Sequence, residues 1–572
     1  MPISIIIVSW LASLSVFLYL LNLIAIPVWV SAPIFLLISI LFFKKHFSEK
    51  ITFPKKNLLT ILFFIVSLLG LTSFTFGQRY NENSGLTLHI SNFHDSLWHV
   101  AVISSAMQGS PPENPVFSGT SLSGYHYSYD LVLAAVSYFS GLDPLVLYTF
   151  IAPYILALLF AGTSLALVSS LVKDKREALL GSLLITIGAG FAYLAPLFFP
   201  IKQFHHTIFW LDQPVAYPIN HQLLFSLCVV NAIYFLLFNQ KLRKKWLWLA
   251  AVLLGSLASI KVYAALVVIP PIFLIGVYEL LTKKNNTLFK TSLIGGALAG
   301  ISLLANRSSL GNPFIWAPGW FVKTMFEAGD HLNFDTWELQ RLTFVAGGGT
   351  ARLALHWLIG LAVFLVGALG VKLAGLFTWL ISLTRKKASH NDCLLILVGT
   401  LLLSILIPSF LIQDGVVWNS IQFMHYAPVP AVLLLILTLP KIIANNRHRL
   451  LLLGLLLLIA LPTTVLTVQQ NLTDQQYQNL SPQLINNIQN LDFPEDKTII
   501  LDQELTEYSL IPALTGRSVY WADPTMLTLL GLENADGRKA LQQVASEDDE
   551  FCPADSIFID QQENNLTLVE CN

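Results

Sequence analysis

The sequence predicts an all-α polytopic membrane protein of about 13 transmembrane helices, followed by a small extracytoplasmic α/β C-terminal domain. Three observations predict it. Of 572 residues, 55% are hydrophobic and 12% charged, where a soluble domain carries about 25% charged residues. Apolar runs of the length that crosses a bilayer core, about 20 residues, recur as far as residue 468. Beyond that point the chain turns acidic, with 18 Asp and Glu against four Lys and Arg over 469–572.

The runs lie at 3–24, 26–43, 57–76, 145–171, 178–199, 219–239, 246–260, 262–281, 287–305, 353–383, 393–412, 426–440 and 449–468. The first has no basic leading stretch and no small-residue cleavage pattern, so it is expected to be a retained span and not a signal peptide. The stretch 246–281 is short for two crossings. The stretch 353–383 is long for one and contains Lys372.

Basic residues set the orientation, because cytoplasmic loops are enriched in Lys and Arg. The loops at 44–56, 173–176, 241–245, 283–290, 385–387 and 441–449 hold 21 of the 33 Lys and Arg, and the opposite side with the tail holds 10. This places the N-terminus in the cytoplasm and the tail outside a plasma (inner) membrane. The long loops 77–144, 200–218 and 306–352 are then all external. Ten of the 13 histidines fall on that side, and long loops on a rigid scaffold are where function concentrates. The net charge of −1, without a basic cluster, argues against nucleic-acid binding.

Two domains follow: 1–468, the membrane part with large outer loops 77–144 and 306–352, and 469–572, the soluble part. In the latter, 497–502, 517–521, 556–560 and 566–570 read as strands and 508–515 as a short helix, an α/β layer. Cys228 and Cys393 lie in apolar runs and read as small buried hydrophobes. Cys552 and Cys571 lie in the tail and could pair in an oxidising compartment.

The stretch richest in chemistry is Ser91-Asn-Phe-His-Asp-Ser-Leu-Trp-His99 with the apolar-periodic run to Gln108. A Pro-rich link, Gly109 to Phe117, forces an extended turn, and Gly124-Tyr-His-Tyr-Ser-Tyr-Asp130 opens a second helix. Asp95 and His99, four apart, share a helix face, as would His126 and Asp130. The competing role for Asp95 is to N-cap a helix over 95–108. His99 has the competing role of a packed or interfacial histidine, and His126 with Asp130 that of a polar helix start.

The arrangement resembles the C-type fold of membrane glycosyltransferases (the GT-C superfamily), which includes oligosaccharyltransferases, protein mannosyltransferases and aminoarabinose transferases. The shared elements are an Asp after a span in the first large outer loop and the Tyr-His-Tyr region. Three spans precede that loop here, where the superfamily has one. The resemblance implies sugar transfer from a polyprenyl-phosphate-linked donor to an acceptor at the extracytoplasmic face. Such a reaction needs a base for the acceptor hydroxyl and cations or donors for the leaving phosphate. It makes Asp95 the expected base with His99 beside it, and His126 and Asp130 candidates for substrate binding. Asp212 resembles the superfamily's second acidic position, or is a turn residue before Gln213-Pro214, and His221 could face the same cavity. The loop 306–352 resembles a mobile loop that closes over the acceptor, or is a solvated amphipathic helix.

Lys261 is costly in hydrocarbon, so it is expected either to hold the donor phosphate or to snorkel to the headgroups. Asp414, Asn419, Gln422 and His425 could line a lipid-linked sugar site or anchor a membrane edge. The first loop carries no Asp-x-Asp pair, so a divalent metal has no strong motif. Two other functions compete. A transporter or flippase of lipid-linked saccharide would place charges at the midplane in repeated halves; the sequence shows no internal repeat, and midplane charges are nearly absent. A non-enzymatic envelope assembly factor would bind a partner through the acidic tail. The expected partners are the polyprenyl-phosphate-sugar donor and the bilayer, with the oligomeric state open.

Overall fold

A computed structural model describes residues 1–46, 51–53, 57–81, 85–239, 246–305, 314–384, 392–494, 497–532, 535–547, 556–562 and 565–570. Cys552 and Cys571, the expected disulfide pair, lie outside the described residues, as do the basic loops 241–245 and 385–387. Among the described residues, nine helices are long and apolar enough to cross a membrane. Three shorter apolar helices, Val28–Leu41, Leu58–Leu71 and Leu247–Ile260, fall on further expected spans. The chain begins with α1 (Ile3–Asn22), α2 (Val28–His46) and α3 (Leu58–Leu71).

Two expected spans are broken helices. Within 178–199 the helix Lys175–Thr186 stops before Gly188 and Gly190, and only short turns follow at Ala192–Leu194 and Ala195–Phe198. Within 353–383 the helix Thr350–Leu369 ends at Gly370, whose φ of 55° is left-handed, and Ala374–Thr384 resumes after a turn that holds the buried Lys372. The breaks meet. A Cβ on Gly190 would sit 2.4 Å from the carbonyl oxygens of Gly367 and Ala368, and one on Gly370 would sit 3.0 Å from the Gly190 Cα. Side chains satisfy the backbone groups that the breaks release, as a membrane interior requires. The Gly190 N–H donates to Gln213 Oε1 at 2.6 Å, and Thr463 Oγ1 donates to the Gly190 carbonyl at 2.9 Å.

Short sheets tie the segments between the apolar helices together. The antiparallel pair β1 (Arg79–Asn81) and β2 (Gly85–His89) leads into α4 (Ile90–Gln108). α5 (Ser128–Ser140) follows the Pro-rich link. In loop 306–352, β3 (Phe314–Trp316) pairs with β4 (Leu411–Gln413). β5 (Tyr477–Leu480) of the tail adds to β2, with Leu86 opposite Leu480. Since all five β2 residues are buried, this pairing seats the tail on the segment 77–144.

Of the expected tail strands, 497–502 becomes β6 (Thr498–Leu501), 556–560 becomes β7 (Ser556–Gln562) and 566–570 becomes β8 (Asn565–Glu570). β6 and β7 are parallel, β7 and β8 antiparallel. The helix expected at 508–515 is Leu510–Thr515. Segment 517–521 is not a full strand; it touches β6 through the single bridge Ile499–Val519. It also bonds to the Pro-rich link and the residue after it: the Val519 N–H donates to the Pro115 carbonyl and the Ser118 N–H to the Val519 carbonyl, both at 2.9 Å.

Candidate functional site

α4 starts earlier than the sequence suggests. Its N-cap is His89, whose Nδ1 accepts from the Ser91 N–H at 3.3 Å. Asp95 therefore sits in the second turn and caps nothing. Its side chain is 43% accessible, and Oδ1 lies 3.6 Å from His94 Nδ1. Burial pushes its carboxyl up, but the bond from His94 and the charges of His99 and Lys261 hold it below the ordinary value of 3.8. The result is a reachable carboxylate that stays ionised at neutral pH.

One turn further, His99 faces inward. Its Nδ1 lies 3.1 and 3.2 Å from the two oxygens of Asp130, and its Nε2 lies 3.2 Å from the Tyr125 hydroxyl. Gln222 Nε2 donates to Asp130 Oδ2 and to the His126 carbonyl, both at 3.0 Å. The ring of Tyr148 stacks on His99 at 5.3 Å and on His221 at 4.1 Å. Asp130 thus pairs with His99, and not with His126, which precedes the helical part of α5. Burial, then the charge of Lys261, pushes the His126 imidazole well below 6.5. That ring is neutral at physiological pH.

Lys261 is the single extended residue between the helices Leu247–Ile260 and Val262–Lys283. It is 4% exposed. Its ammonium has no hydrogen bond or ion pair among the described residues, and its only aromatic neighbour there is Tyr263, with the ring centre 5.8 Å away. Its charge bears on both Asp95 and His126.

Asp212 anchors a second cluster. His206 Nε2 lies 3.3 Å from its Oδ1 and His425 Nε2 3.2 Å from its Oδ2. Desolvation opposes ionisation, but the two imidazoles hold this carboxyl far below the usual range. The turn Val417–Tyr426 joins the clusters: Phe423 packs on Tyr263 at 4.9 Å, and His425, two residues on, reaches Asp212.

Asp414 is exposed, and its Oδ1 accepts from the Gly415 N–H at 2.9 Å. Its neighbour Gln413 points inward and accepts from the Tyr263 hydroxyl at 2.6 Å. Gln422 donates to Asn419 at 3.1 Å. In loop 306–352 the helices Trp320–Glu327 and Asp335–Ala346 carry a local ion network, Arg341–Glu338 at 2.6 Å and Lys323 at 3.7 Å from Glu338. Among the described residues, no three His, Cys, Asp or Glu side chains converge to hold a metal ion.

Sequence reasoning missed Tyr125, Tyr148, Gln222 and Asp523. Tyr125 stands inside the quoted Gly124–Asp130 motif, and Gln222 follows His221, so position could have flagged both. Nothing local marks Tyr148 or Asp523 as a neighbour of α4.

No protein-family model matches the chain, and no curated protein matches it significantly. Among solved structures it is similar to the Archaeoglobus fulgidus oligosaccharyltransferase in complex with Zn and sulfate (TM-score 0.46, 13% identity, 81% of this chain and 62% of that one). It is also similar to the apo form of that protein (TM-score 0.46, 13% identity, 82% and 65%). The form tethered by a disulfide to an acceptor peptide gives TM-score 0.44 at 13% identity, covering 84% and 64%. The chain spans 62–65% of the length of these structures.

Proposed function

We propose that the protein is a membrane glycosyltransferase that moves a sugar from a polyprenyl-phosphate-linked donor to an acceptor hydroxyl at the extracytoplasmic face of a plasma (inner) membrane. The observation that supports this reading is a reachable carboxylate, Asp95, together with a buried ammonium, Lys261, that has no hydrogen bond or ion pair among the described residues and whose charge bears on Asp95.

The two charges suit the two ends of the reaction. Asp95 takes the proton of the acceptor hydroxyl while its oxygen bonds to the anomeric carbon. The bond from that carbon to the phosphate oxygen breaks, and the electron pair leaves with the polyprenyl phosphate. Lys261 neutralises the charge gathering on that phosphate, in a site that excludes water and so strengthens the attraction. A carboxylate of low pKa is a weak proton acceptor, so the proton moves late, once the acceptor oxygen is bonding to carbon. His99, fixed by Asp130 and Tyr125, braces the wall behind this pair, and the cluster at Asp212 and His425 flanks it and binds donor or acceptor.

The test is transfer by purified protein in vesicles from a polyprenyl-phosphate-linked sugar carrying a fluorescent or radioactive label. Asp95→Asn is expected to lower turnover by about 10²–10⁴-fold, the range of general base catalysis, without loss of expression. Turnover at the wild-type rate in that variant would remove Asp95 as the base.

A further inference from the structure

The acidic tail reaches the candidate base through one histidine. Asp523 Oδ1 lies 2.8 Å from His94 Nε2, and the opposite ring nitrogen, Nδ1, lies 3.6 Å from Asp95 Oδ1. Asp523 is fully buried. Its Oδ2 accepts from Ser509 Oγ at 2.6 Å, and its Oδ1 also accepts from the Met526 N–H at 3.1 Å as the N-cap of the helix Pro524–Leu530. Its backbone is left-handed, with φ of 53°, a conformation that is uncommon outside glycine though enriched in Asp. The Asp523 N–H, donating to the Thr506 carbonyl at 2.7 Å, holds it there. Strained residues of this kind persist only where their surroundings over-determine them.

We propose that Asp523 is a positioning residue for the transfer reaction: by holding the His94 ring at Nε2 it aims Nδ1–H at Asp95, so that the tail sets the orientation and charge state of the base. This rests on Asp95 being that base. An imidazole pinned at one nitrogen has its plane fixed, and the other N–H then restrains the carboxylate it meets. That contact uses Oδ1 of Asp95; Oδ2 has no hydrogen-bond partner among the described residues and is left for the acceptor. The remaining groups that face the trio are His99 on α4, Lys261 at the helix junction, and Tyr508 of the tail, whose ring lies 6.1 Å from that of His94. Burial alone would push the His94 imidazole down, but the bond to Asp523 and the nearby Asp95 carboxylate outweigh it and raise it to about 10. The ring is therefore a cation between two carboxylates at neutral pH. Seating the tail through β5 on β2 brings Asp523 to α4, so the soluble part completes the site.

Full-length protein in vesicles, with a polyprenyl-phosphate-linked sugar as donor, tests this through Asp523→Asn, His94→Gln, the double variant and Asp95→Asn. Asparagine caps a helix as well as aspartate, so Asp523→Asn keeps the cap but is expected to melt below wild type at neutral pH, having lost the carboxylate that holds His94 as a cation. Its kcat should fall about ten- to a hundredfold, the worth of one charge-assisted hydrogen bond, with the donor KM unchanged. The acidic limb of its kcat profile should stay close to wild type, because an imidazole near its ordinary 6.5 is still protonated where Asp95, held below 3.8, titrates. His94→Gln should reproduce the fall in kcat and also move the acidic limb up by about one pH unit or more as Asp95 loses a cation, and the double variant should be no worse than His94→Gln alone. Should Asp523→Asn fail to fold, His94→Gln, at a partly exposed position, decides alone. A wild-type kcat and pH profile in His94→Gln, with Asp95→Asn inactive, would overturn the positioning role and leave the base assignment standing. An active Asp95→Asn would overturn the base itself.

Discussion

His99 and Asp130, 31 residues apart in sequence, face each other with Nδ1 3.1 and 3.2 Å from the two carboxylate oxygens. Both are buried, His99 at 3% and Asp130 at 0% exposure. Tyr125 takes the other ring nitrogen, and Gln222 donates to the carboxylate. A buried carboxylate is tolerated when its lone pairs are filled, and here two elements supply the donors, α4 through His99 and the helix His221–Phe238 through Gln222. The pair joins α4 to α5 and to the head of the helix His221–Phe238.

Replacing Asp130 with Ala should therefore strand the His99 Nδ1 and the Gln222 amide. Leaving buried donors without an acceptor costs about 1–3 kcal/mol. The variant is expected to melt several degrees below wild type in detergent, with transfer reduced. Unchanged melting would mean that the pair contributes nothing to holding the two helices.

Lys261 makes the opposite prediction. A buried, unpartnered ammonium weakens the fold that holds it, so Lys261→Met, of similar shape, should melt at or above the wild-type temperature. Its donor KM should rise tenfold or more, since a charge-assisted contact to phosphate is worth about 1.5–3 kcal/mol. A wild-type KM for the polyprenyl-phosphate-linked donor would remove Lys261 from phosphate binding.

The membrane helices and the tail strands were legible because hydropathy and alternation are local signals; α1, the helix His221–Phe238 and β6 to β8 all fall on expected segments. The broken helices were not, because the breaks at Gly190 and Gly370 exist for each other: the two backbones touch across 180 residues of chain. The site was legible in part. Spacing placed Asp95 and His99 on one helix, but an i, i+4 rule paired His126 with Asp130, and the carboxylate turned to His99 on a different helix. Asp523 reads locally as a cap before Pro524, and only the tail's docking shows that its other neighbour is His94.

That docking should depend on pH in a known direction. The folded pKa of His94, about 10, lies above its ordinary 6.5. Its stabilisation is full below the lower value, falls as the pH rises and is gone above the higher one. Hydrogen exchange in Pro524–Leu530 and β5 should accordingly quicken, beyond the intrinsic base-catalysed rise, between pH 7 and 10. His94→Gln should flatten this dependence. A wild-type protein whose protection is constant across that range would show that the imidazole is not held as a cation.

Close packing inside the membrane gives the last prediction. A Cβ on Gly375 would lie 1.8 Å from the Ala431 carbonyl oxygen, where the helix Ala374–Thr384 crosses Pro428–Ile442. Backbone cannot swing aside as a flexible side chain can, and small residues are what allow membrane helices to approach so closely. Gly375→Ala should destabilise by about 1–3 kcal/mol or more, the cost of overpacking. Gly454, on Asn446–Asn471, is the control, because a Cβ there meets nothing within 4 Å. Gly454→Ala should be neutral or slightly stabilising, as Ala is the better helix former. The contrast in melting temperature between the two variants measures the crossing; equal melting would mean that the two helices stand further apart.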